Sequence, residues 1–192
     1  MIRHNAQNDQ ALLRSIAQRD QAAFSRLIDN YSRPLFALGY RMGYEKNQAE
    51  DMVQETLIRL WQHAEKWDET KGASIATWLY RVMTNLCLDD KRKKQMVTLE
   101  AIGEPEDNKQ KGADHLLYQN ELKQRMDALL ETLPDRQRAA LVLFHYEGVK
   151  QADIADILDT SVKSVESLLV RAKRHLRAAL EHSDLHPKGE AT

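Results

Sequence analysis

The sequence predicts an all-α protein made of two small helical domains joined by a flexible linker. Apolar residues recur at steps of three and four through most of the chain, as expected for amphipathic helices. Charged residues make up 30% of the 192 residues and aromatic residues 6%, which suits helices packed through aliphatic stripes. A polar segment containing glycine and proline interrupts the helical pattern. The predicted parts are a first domain over 1–95, a linker over 96–115, a second domain over 116–182 and a disordered tail over 183–192.

The helical pattern of the first domain starts at Asp9. Asp20 is the predicted N-cap of a helix within it, because a carboxylate there can accept hydrogen bonds from backbone N–H groups. Pro34 is expected to kink this helix or to end it. Further helices are predicted over about 48–65 and about 73–94, with a polar loop between them at 68–72.

The helix predicted over about 48–65 has two different faces. Its apolar stripe consists of Val53, Leu57, Leu60 and Trp61. Its opposite face is acidic apart from one aliphatic residue, and consists of Glu50, Asp51, Gln54, Glu55 and Ile58. Such a face is either solvated or a docking surface for basic groups of a partner helix.

The helix predicted over about 73–94 combines an apolar stripe with a face suited to nucleic acid. We expect its exposed residues to be Tyr80, Arg81, Thr84, Asn85 and Asp89, followed by the basic run 91–94. Tyrosine can stack on an unpaired base, asparagine can bond to a base edge, and cations neutralise phosphates. The basic run alone is weak evidence, since cations also complement the helix dipole.

The second domain ends in a predicted helix-turn-helix. Pro134 and Gly148 bound a helix over about 136–146, and two helices follow over 151–158 and 161–177 with a short break between them. The last helix has an apolar stripe of Val162, Val165, Leu169, Ala172 and Leu176. Its other face carries Ser164, Ser167, Leu168, Arg171 and Arg174. A solvated amphipathic helix is the alternative, but the short preceding helix favours DNA binding.

The net charge of the chain limits how tightly such a domain can bind DNA alone. The net charge is −1 and the isoelectric point about 6.7, although phosphate contacts supply most of the affinity of DNA-binding proteins. We therefore expect another component to help hold the DNA. The single cysteine, Cys87, excludes an internal disulfide. No signal peptide, membrane span, metal-ligand cluster, cofactor motif or catalytic constellation is recognisable, so we expect a cytoplasmic protein that is not an enzyme.

Three ordered segments resemble bacterial sigma factors of the extracytoplasmic-function (ECF) type. Residues 49–61 resemble conserved region two, residues 77–85 resemble the segment after it, and the stretch from Leu133 to Arg177 resembles region four. The resemblance covers nearly the whole chain. It implies a transcription initiation factor that binds core RNA polymerase and directs it to promoters in a stress or envelope response.

The resemblance also implies roles for individual residues. The implied contacts with the clamp helices of the largest polymerase subunit are made by Asp51, Gln54, Glu55 and Ile58. Recognition and opening of the minus-ten element falls to Lys71, Gly72, Ala73, Tyr80, Arg81, Thr84, Asn85, Lys91 and Arg92. Reading of the minus-thirty-five element falls to Lys163, Ser164, Glu166, Ser167, Leu168, Arg171 and Arg174. The implied partners are core polymerase (including its flap), promoter DNA and an anti-sigma protein, with a monomer when free.

The chain departs from the family pattern at a few positions. Glu166 and Leu168 stand where many members have Lys and Arg, which predicts a different minus-thirty-five preference. Lys150 replaces a common Ser or Thr cap, at a cost of about 1 kcal/mol. The rival interpretation is a dimeric helix-turn-helix regulator with symmetric operators, and a protein-only adaptor is a second rival.

Overall fold

The computed structural model describes residues 6–67, 74–100 and 125–184, and all regular structure within these ranges is helical. The first domain contains α1 (Ala6–Ala17), α2 (Gln21–Arg41), α3 (Lys46–His63), a 3₁₀ turn (Ala64–Lys66) and α4 (Ile75–Glu100). The second domain contains α5, described over 125–131, then α6 (Asp135–Leu141), a π-helical turn (Val142–Tyr146), α7 (Gln151–Ile157) and α8 (Val162–Asp184).

The predicted cap of α2 is confirmed. The carboxylate of Asp20 accepts hydrogen bonds from the backbone N–H groups of Ala22 at 2.8 Å and Ala23 at 3.1 Å. The helix does not end at Pro34 but continues to Arg41. Gly43 follows with a φ of 92°, a left-handed conformation that glycine adopts without strain. This turn directs the chain into α3.

Two helices extend beyond their predicted ends. Helix α4 continues to Glu100, into the segment predicted as linker, and α8 continues past Arg177 to Asp184. Ion pairs one turn apart stabilise α4 over residues 89–94, where Oδ1 of Asp89 lies 3.2 Å from Nη2 of Arg92 and Oδ2 of Asp90 lies 2.7 Å from Nζ of Lys94. Both helices are therefore longer than their apolar periodicity indicated.

The helix-turn-helix is present. Asp159 has a φ of 48° in the turn, and the Ser161 hydroxyl accepts a hydrogen bond from the Ser164 N–H at 3.2 Å, which begins α8. The helix start at Lys150 has no side-chain cap, as predicted. The prediction that Val162 belongs to the buried stripe is wrong, since its side chain is 42% exposed. Val162 lies in the first turn of α8, about 50° from the centre of the buried face.

The described residues share one contiguous hydrophobic core that runs through both domains. In the first domain, α1–α4 pack together. In the second domain, α8 packs on both α6 and α7, and α4 of the first domain contacts α6 and α7 as well. Cys87 of α4 lies within this core, as its apolar surroundings predicted, and burial raises the pKa of its thiol to about 12. Helix α4 is therefore the element shared between the two domains.

Candidate functional site

The acidic face of α3 is exposed, as its periodicity predicts. Asp51, Gln54, Glu55 and Ile58 all lie on the surface, and the Ile58 side chain is 49% exposed although it is aliphatic. The Glu55 carboxylate accepts a hydrogen bond from Arg59 at 2.7 Å, one helical turn away. The opposite stripe is buried as predicted, with Leu60 fully enclosed. These four residues form a continuous surface on a rigid helix.

An apolar groove lies directly beside this face. It has a volume of about 710 Å³ and runs between α2 and α3. Gln54 and Ile58 stand on its α3 side, and its α2 side is formed by Phe24, Ile28 and Phe36. Sequence reasoning missed the groove. Periodicity assigned Phe24 and Ile28 to a helix stripe, but only the packing of α2 on α3 leaves them half-buried beside Ile58.

The predicted minus-ten residues do not share one exposed surface. Lys71, Gly72 and Ala73 lie outside the described residues. Asn85 and Arg92 are exposed, and Arg81 and Lys91 are half-buried. The expectation that Tyr80 and Thr84 are exposed is wrong, since their residues are 1% and 0% exposed. Helix α4 packs against α2 and α3 and also against α6 and α7, so little of its circumference faces solvent.

The Tyr80 hydroxyl donates a hydrogen bond to the Glu147 carboxylate of the second domain, over 3.1 Å. Burial raises the pKa of Tyr80, and the neighbouring Glu147 raises it further. Burial also raises the pKa of Glu147, against the hydrogen bond from Tyr80 and the charge of Arg41, which both lower it. At neutral pH the phenol therefore keeps its proton and acts as the donor.

Aromatic rings border the chain on either side of residues 68–73. The rings of His63 and Trp78 stack with centroids 5.7 Å apart, and Trp67 meets Trp78 edge-on at 6.0 Å. The Ser74 hydroxyl accepts a hydrogen bond from the Thr77 N–H at 3.0 Å and starts α4. Sequence reasoning placed Trp78 on the apolar stripe and did not identify this cluster, because its members come from three separate segments.

The predicted minus-thirty-five residues come together on α8. Exposed positions are occupied by Lys163, Glu166, Ser167, Arg171 and Arg174, while Ser164 and Leu168 are half-buried at the edge of the same face. The buried side of α8 consists of Val165, Leu169 and Ala172. The Ser167 hydroxyl donates to the Lys163 carbonyl at 3.0 Å, so its oxygen lone pairs point outward as acceptors. The face carries the cations and hydroxyls expected for a groove-binding helix.

Comparison with known proteins identifies two matching family models. The family model "Sigma-70 region 2" matches residues 27–96, and "Sigma-70, region 4" matches residues 123–176. The ECF RNA polymerase sigma factor SigW of Bacillus subtilis is 30% identical over 178 residues, which cover 88% of this chain and 94% of that protein. The chain is an ECF sigma factor.

Further relatives support the assignment. SigE of Mycolicibacterium smegmatis, also an ECF sigma factor, is 30% identical over 174 residues that span 87% of this chain and 66% of that protein. The fold resembles that of CnrH, solved in complex with the cytosolic domain of CnrY, with a TM-score of 0.70 and 24% identity over 91% of this chain and 98% of that one. Family membership therefore favours the sigma-factor interpretation over the dimeric regulator.

A second solved structure has the same fold. The sigma factor RpoE of Bartonella quintana, in complex with the anti-sigma factor NepR, matches with a TM-score of 0.63 and 22% identity over 82% of this chain and 96% of that one. Within the described residues of this sigma factor, no helix is both long and apolar enough to cross a bilayer.

Proposed function

We propose that this sigma factor binds core RNA polymerase through the acidic face of α3, with Asp51, Gln54, Glu55 and Ile58 as the contact residues. The carboxylates suit basic groups of a partner helix, and exposed Ile58 beside the apolar groove suits an aliphatic or aromatic side chain of that partner. The observation that carries the proposal is this pairing of an exposed acidic helix with a separate helix-turn-helix on one chain.

Promoter recognition is proposed to be divided between the two domains. In the second domain, the exposed face of α8 reads the duplex minus-thirty-five element through Arg171, Arg174 and their neighbours. In the first domain, the minus-ten element is captured through α4 and residues 71–73. The proposed function includes no catalytic activity of its own and places the protein with the chromosome in the cytoplasm.

The near-neutral net charge supports the proposal that core polymerase supplies part of the affinity for promoter DNA. With −1 net charge, the free chain is proposed to bind promoter DNA poorly, and polymerase holds both domains over DNA so that they act bivalently. Since RpoE of Bartonella quintana was solved with an anti-sigma factor, we also propose that this sigma factor is held inactive by such a protein.

Run-off transcription with purified core polymerase and genomic promoter fragments tests the proposed function. We expect discrete transcripts that depend on the sigma factor and share two unlike upstream boxes. Arg26→Ala, which removes an exposed cation of α2 in the first domain, is the control for substitutions on the reading face. Failure of core polymerase to bind the chain in a pull-down free of inhibitor would overturn the proposal.

A further inference from the structure

An apolar side chain lies in the middle of the exposed reading face of α8. Val170 is 64% exposed. The residues that bury the opposite side of the helix are Val165, Leu169 and Ala172. At about 100° per residue, Val170 lies about 130° from the centre of that buried side. It therefore takes no part in the apolar stripe that holds α8 in the second domain.

The residues one helical turn from Val170 are polar. They are Glu166 and Ser167 toward the start of the helix and Lys173 and Arg174 toward its end, all of them exposed. A single exposed aliphatic residue is ordinary on a protein surface, but this one lies at the centre of a face proposed to enter the major groove. A cation there would add a phosphate contact, and lysine or arginine would also be a better helix former than valine. Neither helix stability nor phosphate binding thus explains the valine.

The other aliphatic residue predicted on this face is placed differently. Leu168 is one of the residues predicted to read the minus-thirty-five element, but it is half-buried and packs against the hydrophobic core. It lies about 70° from the centre of the buried side, roughly half the angular distance of Val170. Its packing in the second domain leaves less of it available to DNA. Val170 is therefore the more accessible aliphatic group of the reading face.

The major groove of DNA offers an apolar group to such a side chain. The C5 methyl of thymine projects into it, whereas adenine, guanine and cytosine present hydrogen-bond donors and acceptors there. Valine against one of those bases would leave polar groups without partners. Valine also has a single strongly preferred χ1 rotamer in a helix, so its methyl groups lose little freedom on contact. The chemistry of this position therefore favours thymine.

We propose that Val170 selects a thymine in the minus-thirty-five element by packing its methyl groups against the C5 methyl of that base. The inference rests on the proposed function of α8 as the reading helix, and it adds the identity of one base to that function. The preference arises because contact removes two apolar surfaces from water. Arg171 and Arg174, which flank Val170 on the exposed side, hold the helix in the groove through bonds to bases or phosphates.

Deoxyuridine tests the proposal, because it pairs as thymine does but lacks the C5 methyl. In a promoter fragment identified by run-off transcription, the thymines of the minus-thirty-five element on both strands are replaced one at a time. Competition measured by fluorescence anisotropy gives the affinity of the holoenzyme for each fragment. For the wild type we expect one position at which the replacement weakens binding by about fourfold, as burial of one methyl-sized group predicts. If no thymine were sensitive, the proposal would be overturned.

Variants assign the sensitive methyl to one side chain. Val170→Ala should abolish the difference between thymine and deoxyuridine at that position. Val170→Ile keeps a β-branched aliphatic side chain and should retain the difference. Val162→Ala is the matched control, because it makes the same truncation at an exposed valine in the first turn of α8, outside the reading face, and should also retain it. A difference that persists in Val170→Ala, or disappears equally in Val162→Ala, would overturn the proposal.

The outcomes separate this inference from the proposed function. A holoenzyme that transcribes from the promoter but has no methyl-sensitive thymine would overturn only the role of Val170. A chain that never directs transcription with core polymerase would instead overturn the proposed function. Circular dichroism and thermal melting show whether each variant has folded. Each variant is compared on thymine and deoxyuridine fragments from the same preparation, so a general loss of affinity is distinguished from a loss of the preference.

Discussion

Helices α3 and α4 lie side by side in the first domain but differ in how much of their surface is covered. Helix α3 packs on one side and leaves Asp51, Gln54 and Ile58 open to a partner. Helix α4 packs against the first domain and the second domain, so Tyr80 and Thr84 are enclosed. Amphipathic periodicity predicts exposure correctly for a helix covered on one side by its own domain, and fails for a helix enclosed between two domains.

The largest expected effect comes from a core substitution in the enclosed helix. Leu79→Ala in α4 removes a fully buried side chain and should lower the free energy of unfolding by about 2–5 kcal/mol. Ile58→Ala on the open face of α3 should change it by no more than about 0.5 kcal/mol. Urea denaturation followed by circular dichroism measures both. Similar losses for the two variants would contradict the contrast between the helices.

The open face of α3 should be sensitive to charge reversal. Asp51→Arg places a cation where a basic partner is proposed to dock, and we expect binding of core polymerase to weaken by about 2–4 kcal/mol with folding unchanged. Surface plasmon resonance with immobilised core enzyme gives the affinity. Glu181→Arg makes the same change on α8, away from α3 in the sequence, and should bind normally. Unchanged affinity of Asp51→Arg would remove α3 from the interface.

The reading face of α8 should act on DNA without affecting polymerase. Arg171→Ala should weaken promoter binding by the holoenzyme by about 1–3 kcal/mol and relax selection at the minus-thirty-five box. Footprinting on promoters with single substitutions in that box measures both the loss of affinity and the change in selection. The affinity for core polymerase is expected to match that of the wild type, and a joint loss of both activities would argue against separate surfaces.

The smallest effect concerns pH. The contact between the two domains raises the pKa of Glu147, chiefly through burial, so protonation of this carboxyl favours the contact. This contribution is fully present below the ordinary value of 4.5 and is lost as the pH rises through the raised pKa. Tyr80 stays neutral across this range, because burial raises its pKa as well. We therefore assign the response to Glu147 and expect a modest change in the fraction of molecules whose two domains are in contact.

Energy transfer between labels on Ser25→Cys and Lys173→Cys, both exposed positions, measures the fraction of molecules whose two domains are in contact, while Cys87 stays buried. We expect this fraction to fall with rising pH in the wild type. Because Asp135 is a second carboxylate at the boundary, Glu147→Gln is the control and should flatten the response. If the Glu147→Gln variant gave the same pH curve as the wild type, another group would be responsible for the response.

Much of the fold follows from local pattern. The cap at Asp20, the buried stripe of α3 and the turn between α7 and α8 depend on residues close in sequence, where capping and helical spacing decide the outcome. The cationic face of α8 follows for the same reason. The functional assignment came from three ordered motifs, and the relatives confirmed the family.

Other features depend on residues far apart in the chain. The groove beside Ile58 needs α2 against α3, and the aromatic cluster needs His63 and Trp67 near Trp78. The burial of Glu147 needs partners from α2 and α4, which lie 106 and 67 residues away in sequence. A single sequence shows which helix faces are apolar. It does not show which of several similar faces pack against each other.

By itself, the sequence determined the helices, the polarity of their faces and the family, because these depend on side chains within one or two helical turns. The tertiary structure alone decided that α4 lies between two domains and that Tyr80 and Lys91 bond to the second of them. The physical reason is that burial of a side chain depends on what packs against both sides of its helix, whereas periodicity along one helix reports only the side with the stronger apolar stripe.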